Sequence, residues 1–358
     1  MLTLDDFDYT LASSQIAQEP AKPRDHSKLL VIDRKTNVFR HKKFFQLPSF
    51  LNKGDVLVIN NSRTVPARVF GKKETGGSIE VLFVKPIDKH PNAETWEVLT
   101  KPGLKQGQRV LLPEKITLVC KKVAGYTRIV QVKGFNNSVL ETLKKIGQLP
   151  LPHYISKKLQ SQHDYQTVYA KIDGSAATPT AGLHFSPNLL RSLKEKGVGI
   201  EEITLHVGLG TFLPVKETDI SLHKMHREWF TLSTKTALNL NRAKAAGRRI
   251  IAVGTTSLRV LESCLAPSEQ VQEKKQKIQA KTGETSLYIY PPHSFSVADG
   301  LITNFHLPRT TLLMLVSAFA SQLEEFHTFS HSLAGKAYQE ALEQNYRFYS
   351  FGDAMLIL

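Results

Sequence analysis

The chain has 358 residues, room for two domains at a typical ~150 residues each. Lys and Arg total 47 against 32 Asp and Glu, a net +15, yet the charged fraction is 22% and 41% of residues are hydrophobic, which excludes charge-driven disorder. Two cysteines, Cys120 and Cys264, exclude a disulfide framework and a paired-cysteine zinc site; the longest apolar run, 312–320, is too short to span a bilayer; and the acidic first ten residues carry no secretory signal, so a cytoplasmic protein with no membrane segment is expected.

In chain order, 28–32 and 55–59 read as core strands. Six short apolar or alternating runs follow at 65–70, 78–84, 95–100, 109–112, 116–119 and 128–132, separated by Gly, Pro and Asn turn signals. Strands this short and evenly spaced predict a small barrel, which closes on itself and leaves no open edge. A helix is expected over 138–146, stopped by Gly147, and another over 187–196, stopped by Gly197. The run 248–253 reads as a strand feeding a helix after Gly254. Strand-like segments flank the barrel on both sides, so the expected fold class is a large mixed α/β domain, residues 1–60 and 151–358, carrying an inserted small all-β barrel domain at 61–150. The stretch 267–281, rich in Gln, Lys and Glu, is expected to be a loop or exposed hairpin and is a candidate lid.

The positive charge is unevenly spread. Residues 61–150 hold 16 basic and 7 acidic side chains, whereas residues 248–358 hold 10 of each. A one-sided basic module is the footprint of a protein that tracks phosphates, which favours nucleic acid over mere solubility. The common nucleotide loops are missing: no Gly-x-x-x-x-Gly-Lys-Ser/Thr and no Gly-x-Gly-x-x-Gly between a strand and a helix. Gly208 and Gly210 could let the backbone approach a ligand, or simply make a tight turn. The order strand, Gly254, Thr255, Thr256, Ser257, helix, Arg259 suits a carboxylate or phosphate at a helix N-terminus, and equally suits plain capping. His184 and His306 lie in turns between small residues and prolines, a setting typical of a site loop, and their neutral forms could accept a proton. His223 and His226 have a metal-like spacing but no third ligand, Glu228 reading as a surface residue.

Seven longer segments carry a resemblance: Asp55-Val-Leu-Val-Ile-Asn-Asn-Ser-Arg-Thr-Val-Pro-Ala-Arg68, Tyr165-Gln-Thr-Val-Tyr-Ala170, Thr178-Pro-Thr-Ala-Gly-Leu-His-Phe185, His206-Val-Gly-Leu-Gly-Thr-Phe-Leu-Pro-Val215, Val253-Gly-Thr-Thr-Ser-Leu-Arg-Val260, Asp299-Gly-Leu-Ile-Thr-Asn-Phe-His-Leu-Pro-Arg309 and Tyr346-Arg-Phe-Tyr-Ser-Phe-Gly-Asp-Ala-Met355. In this order, and nearly end to end, the chain resembles the bacterial S-adenosylmethionine:tRNA ribosyltransferase-isomerase family of queuosine biosynthesis. One departure is Ala176-Ala177-Thr178, where the family more often has Val-Ala-Ala.

The resemblance implies a tRNA-modifying transferase. It would move the ribosyl part of S-adenosylmethionine onto 7-aminomethyl-7-deazaguanine at the tRNA wobble position and rearrange it, giving epoxyqueuosine with release of adenine and methionine. It implies S-adenosylmethionine consumed as ribosyl donor, no metal, and a tRNA anticodon stem-loop as partner; a monomer is expected. A sulfonium acidifies the adjacent ribose C5′–H, so a base is needed: His184 is the first candidate and His306 the second. Asp299 or Asp353 could donate a proton to departing adenine if burial raises its pKa. Cosubstrate contacts are expected from Thr180, Gly182, His206, Gly208, Gly210, Thr255, Thr256, Ser257, Arg259 and Asn304, with the methionine carboxylate at 255–259. Arg63, Arg68, Lys72 and Lys73 are expected on the tRNA backbone, and Phe70, Tyr126, Phe348 and Phe351 are available to stack on a base. The rival readings are an S-adenosylmethionine-dependent RNA methyltransferase, whose usual glycine-rich loop is missing, and a non-catalytic RNA-binding protein built on the barrel alone.

Overall fold

A computed structural model describes residues 1–87, 94–157, 159–208, 210, 215–266, 277–322 and 325–358. The chain begins with short 3-10 turns and then forms β1 (Lys28–Asp33), β2 (Val38–Lys43), β3 (Val56–Asn60) and β4 (Ser62–Thr64). Next come β5 (Arg68–Lys73), β6 (Ser78–Pro86), β7 (Thr95–Lys101), β8 (Arg109–Leu111), β9 (Thr117–Ala124) and β10 (Thr127–Lys133), which close into an antiparallel barrel in the order β10-β7-β6-β5-β8-β9. Val69, Val81, Val98, Val110, Leu118 and Val130 are all buried in the barrel's core. The first of the six sequence-predicted strands starts late, at Arg68, because Pro66 has no N–H for a ladder.

Chain entry to and exit from the barrel lie side by side. The Arg68 N–H donates to Gln148 O (3.0 Å) and the Gln148 N–H donates back to Arg68 O (2.8 Å). Helix α1 (Val139–Ile146), capped by the Ser138 hydroxyl, ends at Gly147. A Cβ at Gly147 would stand 1.7 Å from the Pro66 carbonyl oxygen, so only glycine lets the two segments meet.

The remaining elements are β11 (Ile172–Ser175), α2 (Pro187–Glu195), β12 (Gly199–Leu205), β13 (Glu228–Leu232), α3 (Thr234–Ala245), β14 (Ile250–Val253), α4 (Thr255–Ser263), β15 (Lys281–Thr285), β16 (Gly300–Asn304), α5 (Thr311–Ala320), α6 (Leu333–Glu343) and β17 (Ala354–Ile357). Nine strands form one sheet, β15-β13-β12-β3-β14-β16-β17-β1-β2, while β4 and β11 pair separately. Strands β12, β3, β14 and β16 run parallel, and every residue of β3, β14, β16 and β17 is buried, as expected for strands covered on both faces. Along β3, Val56 and Val58 face the cluster that includes Leu258, Leu313 and Ala337, whereas Leu57 and Ile59 face Phe44, Phe185 and Leu189.

The apolar run at 312–320 is the buried helix α5, and no helix among the described residues is long and apolar enough to cross a membrane. Both cysteines are free and buried. Of the candidate lid at 267–281, residues 267–276 lie outside the described residues; Ile278 bridges Leu265 and Lys281 opens β15.

Candidate active site

The carboxyl ends of parallel strands are where open α/β sheets bind ligands, because loops diverge there and helix N-termini point inward. Here that edge carries a cleft lined from β12 (Val207, Gly210), β13 (Glu228), β14 and α4 (Gly254, Thr255, Thr256, Arg259) and β16 (Thr303, Asn304, His306). The turn before β17 closes one end with Tyr349 and Ser350, joined by Tyr154 and Thr180. Asn60, at the end of β3, ties this edge together: its amide donates to Leu205 O and Thr256 Oγ1 and accepts from the Ser62 and Leu205 N–H groups.

One end carries a buried ion pair and a helix N-terminus. Gly254 has φ +86 and ψ 155, a backbone state essentially reserved for glycine, and it starts α4 with its free N–H groups at the cleft. Arg259, only 5% exposed, donates through Nη1 to Glu228 Oε2 and through Nε to Leu287 O (3.0 Å). Its Nη2 has no hydrogen-bond partner among the described residues, and neither has the buried Ser257 Oγ. A buried guanidinium ordinarily satisfies all its donors, so a free Nη2 in a cleft wall marks a place for an anionic group. Glu228 corrects the sequence reading of it as a surface residue: it is 6% exposed, and its Oε1 also accepts the Gly208 N–H (2.9 Å). The alternation in β13 carried the signal, since Glu228, Phe230 and Leu232 share the buried face.

The other end is uncharged and aromatic. Asn304 donates to Tyr349 O (3.0 Å) and to His184 Nε2 (3.2 Å), leaving its buried Oδ1 unpaired among the described residues. His184 Nδ1 meets Ser27 Oγ (2.8 Å) and its ring lies 5.0 Å from that of Phe44. With Nδ1–H donated to Ser27, Nε2 accepts from Asn304, so the imidazole is neutral; burial, then the nearby Arg347, pushes its pKa down to about 3. His184 therefore backs the cleft wall through Asn304 and is not part of the lining. His306 does line the cleft, with Nε2 2.8 Å from Thr303 Oγ1 and burial pushing its pKa down to about 3. Its backbone is clamped by Tyr338, which accepts the His306 N–H (2.9 Å), and by Tyr9, which donates to its carbonyl (2.5 Å).

Several expected residues are not brought to this cleft. Asp299 precedes β16 at the opposite end of the strand from Asn304; it is exposed and accepts the Ile250 N–H (2.8 Å), a job of joining strand starts. Asp353 is buried, but its oxygens take the Lys28 and Arg347 N–H groups (2.8 Å each), with the Arg347 guanidinium alongside. Gly182 packs under Tyr169, whose Oη would be 2.0 Å from an added Cβ. His206 is held between Gly174 and Trp229, stacked 5.0 Å from the indole with Nδ1 on Ser62 Oγ, and burial pushes its pKa down to about 4. His223, by contrast, does line the cleft, with its Nδ1 3.0 Å from Glu217 Oε2.

On the basic side, Lys72 is exposed on β5 and Lys73 reaches Gly103 O (3.2 Å). Arg68 is taken up by Glu80 (2.9 Å) and Leu151 O, and Arg63 lies outside the barrel on β4, bonded to Ala170 O. Among the aromatic candidates, Phe348 and Phe351 are core residues, which removes them from base stacking; Phe70 and Tyr126 are exposed, and Tyr126 lies under Lys216, 4.7 Å from the ring centre.

The chain is similar to known proteins along its length. Residues 4–357 match the protein family described as "Queuosine biosynthesis protein". The S-adenosylmethionine:tRNA ribosyltransferase-isomerases of Desulfitobacterium hafniense and Carboxydothermus hydrogenoformans are each 47% identical over 362 residues, covering 100% of both chains. A crystal structure of the S-adenosylmethionine tRNA ribosyltransferase of Thermotoga maritima is similar with a TM-score of 0.54 at 34% identity, covering 99% of this chain and 100% of that one.

Proposed function

The chain belongs to the S-adenosylmethionine:tRNA ribosyltransferase-isomerase family of queuosine biosynthesis, and from that membership we infer how its own residues carry out the transfer and isomerisation of a ribosyl group from S-adenosylmethionine to tRNA. The acceptor is the aminomethyl-deazaguanine of the wobble position, and adenine and methionine leave. The observation that carries the residue assignment is the buried Arg259 with its unpaired Nη2 beside the α4 N-terminus, a receptor for the methionine carboxylate. Thr255 and Thr256 add donors in the lining, to which the fully buried Ser257 does not belong, and Gly208 and Gly210 keep the facing turn close.

His306 takes first place as the base that removes the C5′ proton, because it faces the cleft; when Nε2–H is donated to Thr303, the lone pair is on Nδ1. His184 becomes a positioning residue that fixes the Asn304 amide. Neither Asp299 nor Asp353 is retained as the proton donor. Residues 1–60 and 151–358 act as the catalytic unit and 61–150 as the tRNA-holding unit, with Lys72 and Lys73 on the backbone. A monomer acting in the cytoplasm suffices, since one chain carries both sets of residues.

The deciding assay incubates the protein with S-adenosylmethionine and tRNA bearing the aminomethyl precursor, then analyses products by mass spectrometry. Release of adenine and methionine is expected. S-adenosylhomocysteine as the product would instead identify a methyltransferase.

A further inference from the structure

Tyr349 lies in the turn that precedes β17 with φ +72, a backbone state that a bulky side chain rarely adopts and that persists only when its surroundings impose it. Its surroundings do so. The Tyr349 N–H donates to Phe305 O (3.1 Å), and its carbonyl accepts from the Asn304 amide (3.0 Å) and from the Gly352 N–H (2.9 Å). The ring is packed against Tyr154, centroids 4.7 Å apart. Tyr154 in turn is held by its hydroxyl on Ser350 Oγ (2.7 Å). The outcome is a fixed phenol in the cleft wall whose buried Oη has no hydrogen-bond partner among the described residues. Buried hydroxyls almost always have one.

Burial, with the neighbouring Tyr154, raises the Tyr349 pKa above its ordinary value of 10, so the group stays protonated and can donate. Beside it, Asn304 offers the unpaired acceptor Oδ1. This end of the cleft therefore presents a donor, an acceptor and two aromatic rings, with no charge at the tip of Tyr349. Arg259 and Glu228 stand toward the β13 side of the same sheet edge, Tyr349 at the β17 side. A molecule with its carboxylate on Arg259 has its opposite extremity free to extend along the same cleft toward the aromatic end. In S-adenosylmethionine that extremity is a purine, planar, with ring nitrogens that accept and an exocyclic amine that donates.

We propose that Tyr349 contacts the cosubstrate directly, its Oη donating a hydrogen bond to a ring nitrogen of the adenine of S-adenosylmethionine. The inference rests on the reading of Arg259 as the carboxylate receptor and adds the opposite anchor. Two anchors, one on α4 and one in the turn before β17, would hold the ribose between them, where His306 lines the wall.

The test measures calorimetric affinities of the wild type and of Tyr349→Phe, which keeps the ring and the backbone, for S-adenosylmethionine and its 1-deaza, 3-deaza and 7-deaza adenine analogues. Tyr349→Phe is expected to weaken S-adenosylmethionine about tenfold. One of the three analogues is expected to bind the wild type about as weakly, and to lose nothing further in the variant. Undiminished affinity in Tyr349→Phe overturns the proposal, as do losses that add for all three analogues. Weakened binding of precursor-bearing tRNA with unchanged S-adenosylmethionine affinity also overturns it and assigns the hydroxyl to the acceptor base. Should the variant not fold, the wild type alone decides, since equal affinity for all four compounds removes the contact. A wild type that releases no adenine in the product assay refutes the underlying reading instead, a separate outcome.

Discussion

Three buried imidazoles are neutral in the fold chiefly because burial strips water from the charged form; Arg347 adds to this at His184, and Asp173 opposes it without overcoming it at His206. His184 and His306 titrate at about 3 and His206 at about 4, against an ordinary 6.5. The unfolded chain takes up protons below pH 6.5 that the folded chain refuses, so the stability these groups contribute is fully present above pH 6.5 and is lost as pH falls from 6.5 toward 4 for His206 and toward 3 for His184 and His306. Urea midpoints are therefore expected to be level between pH 7 and 8 and to drop steadily from pH 6.5 to 5; His184→Gln should flatten that drop by about one proton's share. A midpoint independent of pH over the same interval would show that the imidazoles are hydrated. At this scale, the sequence pointed to His184 and His306 through their small-residue turns. It could not say which ring faces the cleft, because that depends on Asn304 standing between His184 and the lining.

Among the elements, those with a strong internal pattern were readable. The six barrel strands, α1 with its Ser138 cap, α2 and the β14–α4 turn all show periodicity and turn residues that agree with one another. Strand β2 was not readable: Val38–Lys43 is an exposed edge with four charged or imidazole side chains in a row, 40–43, and so has no apolar alternation. Strand β15, Lys281–Thr285, is a polar edge for the same reason. At the β14–α4 turn, Gly254 holds a φ/ψ combination open to glycine alone, and its position sets the first N–H groups of α4. Gly254→Ala is expected to cost about 1–3 kcal/mol of stability and to raise the KM for S-adenosylmethionine more than it lowers kcat. Calorimetric melting and steady-state kinetics check both, and a KM equal to wild type would detach this turn from cosubstrate binding.

For the whole molecule, the net +9 of residues 61–150 is the term with a thermodynamic signature. About six phosphate contacts would lose ~10³ in tRNA affinity between about 50 and 200 mM salt. Filter-binding titrations across that range should show this slope, and Lys72→Ala combined with Lys73→Ala should reduce it by about two contacts. A flat dependence would remove the barrel as the tRNA-holding surface. Arg68 illustrates why a charge count overstates the contacts: its guanidinium is already committed to Glu80. The sequence by itself determined the α/β class, the barrel and the reaction family, because each rests on local periodicity or on long ordered motifs, which exist before the chain folds. Only the tertiary structure decided the site: that Arg259 meets Glu228, that His184 stands behind Asn304, that Asp299 lies at the wrong end of its strand and that Tyr349 reaches the cleft. These relations join residues 31 to 120 positions apart or depend on strand direction, and packing a nine-stranded sheet is what brings them within hydrogen-bond reach.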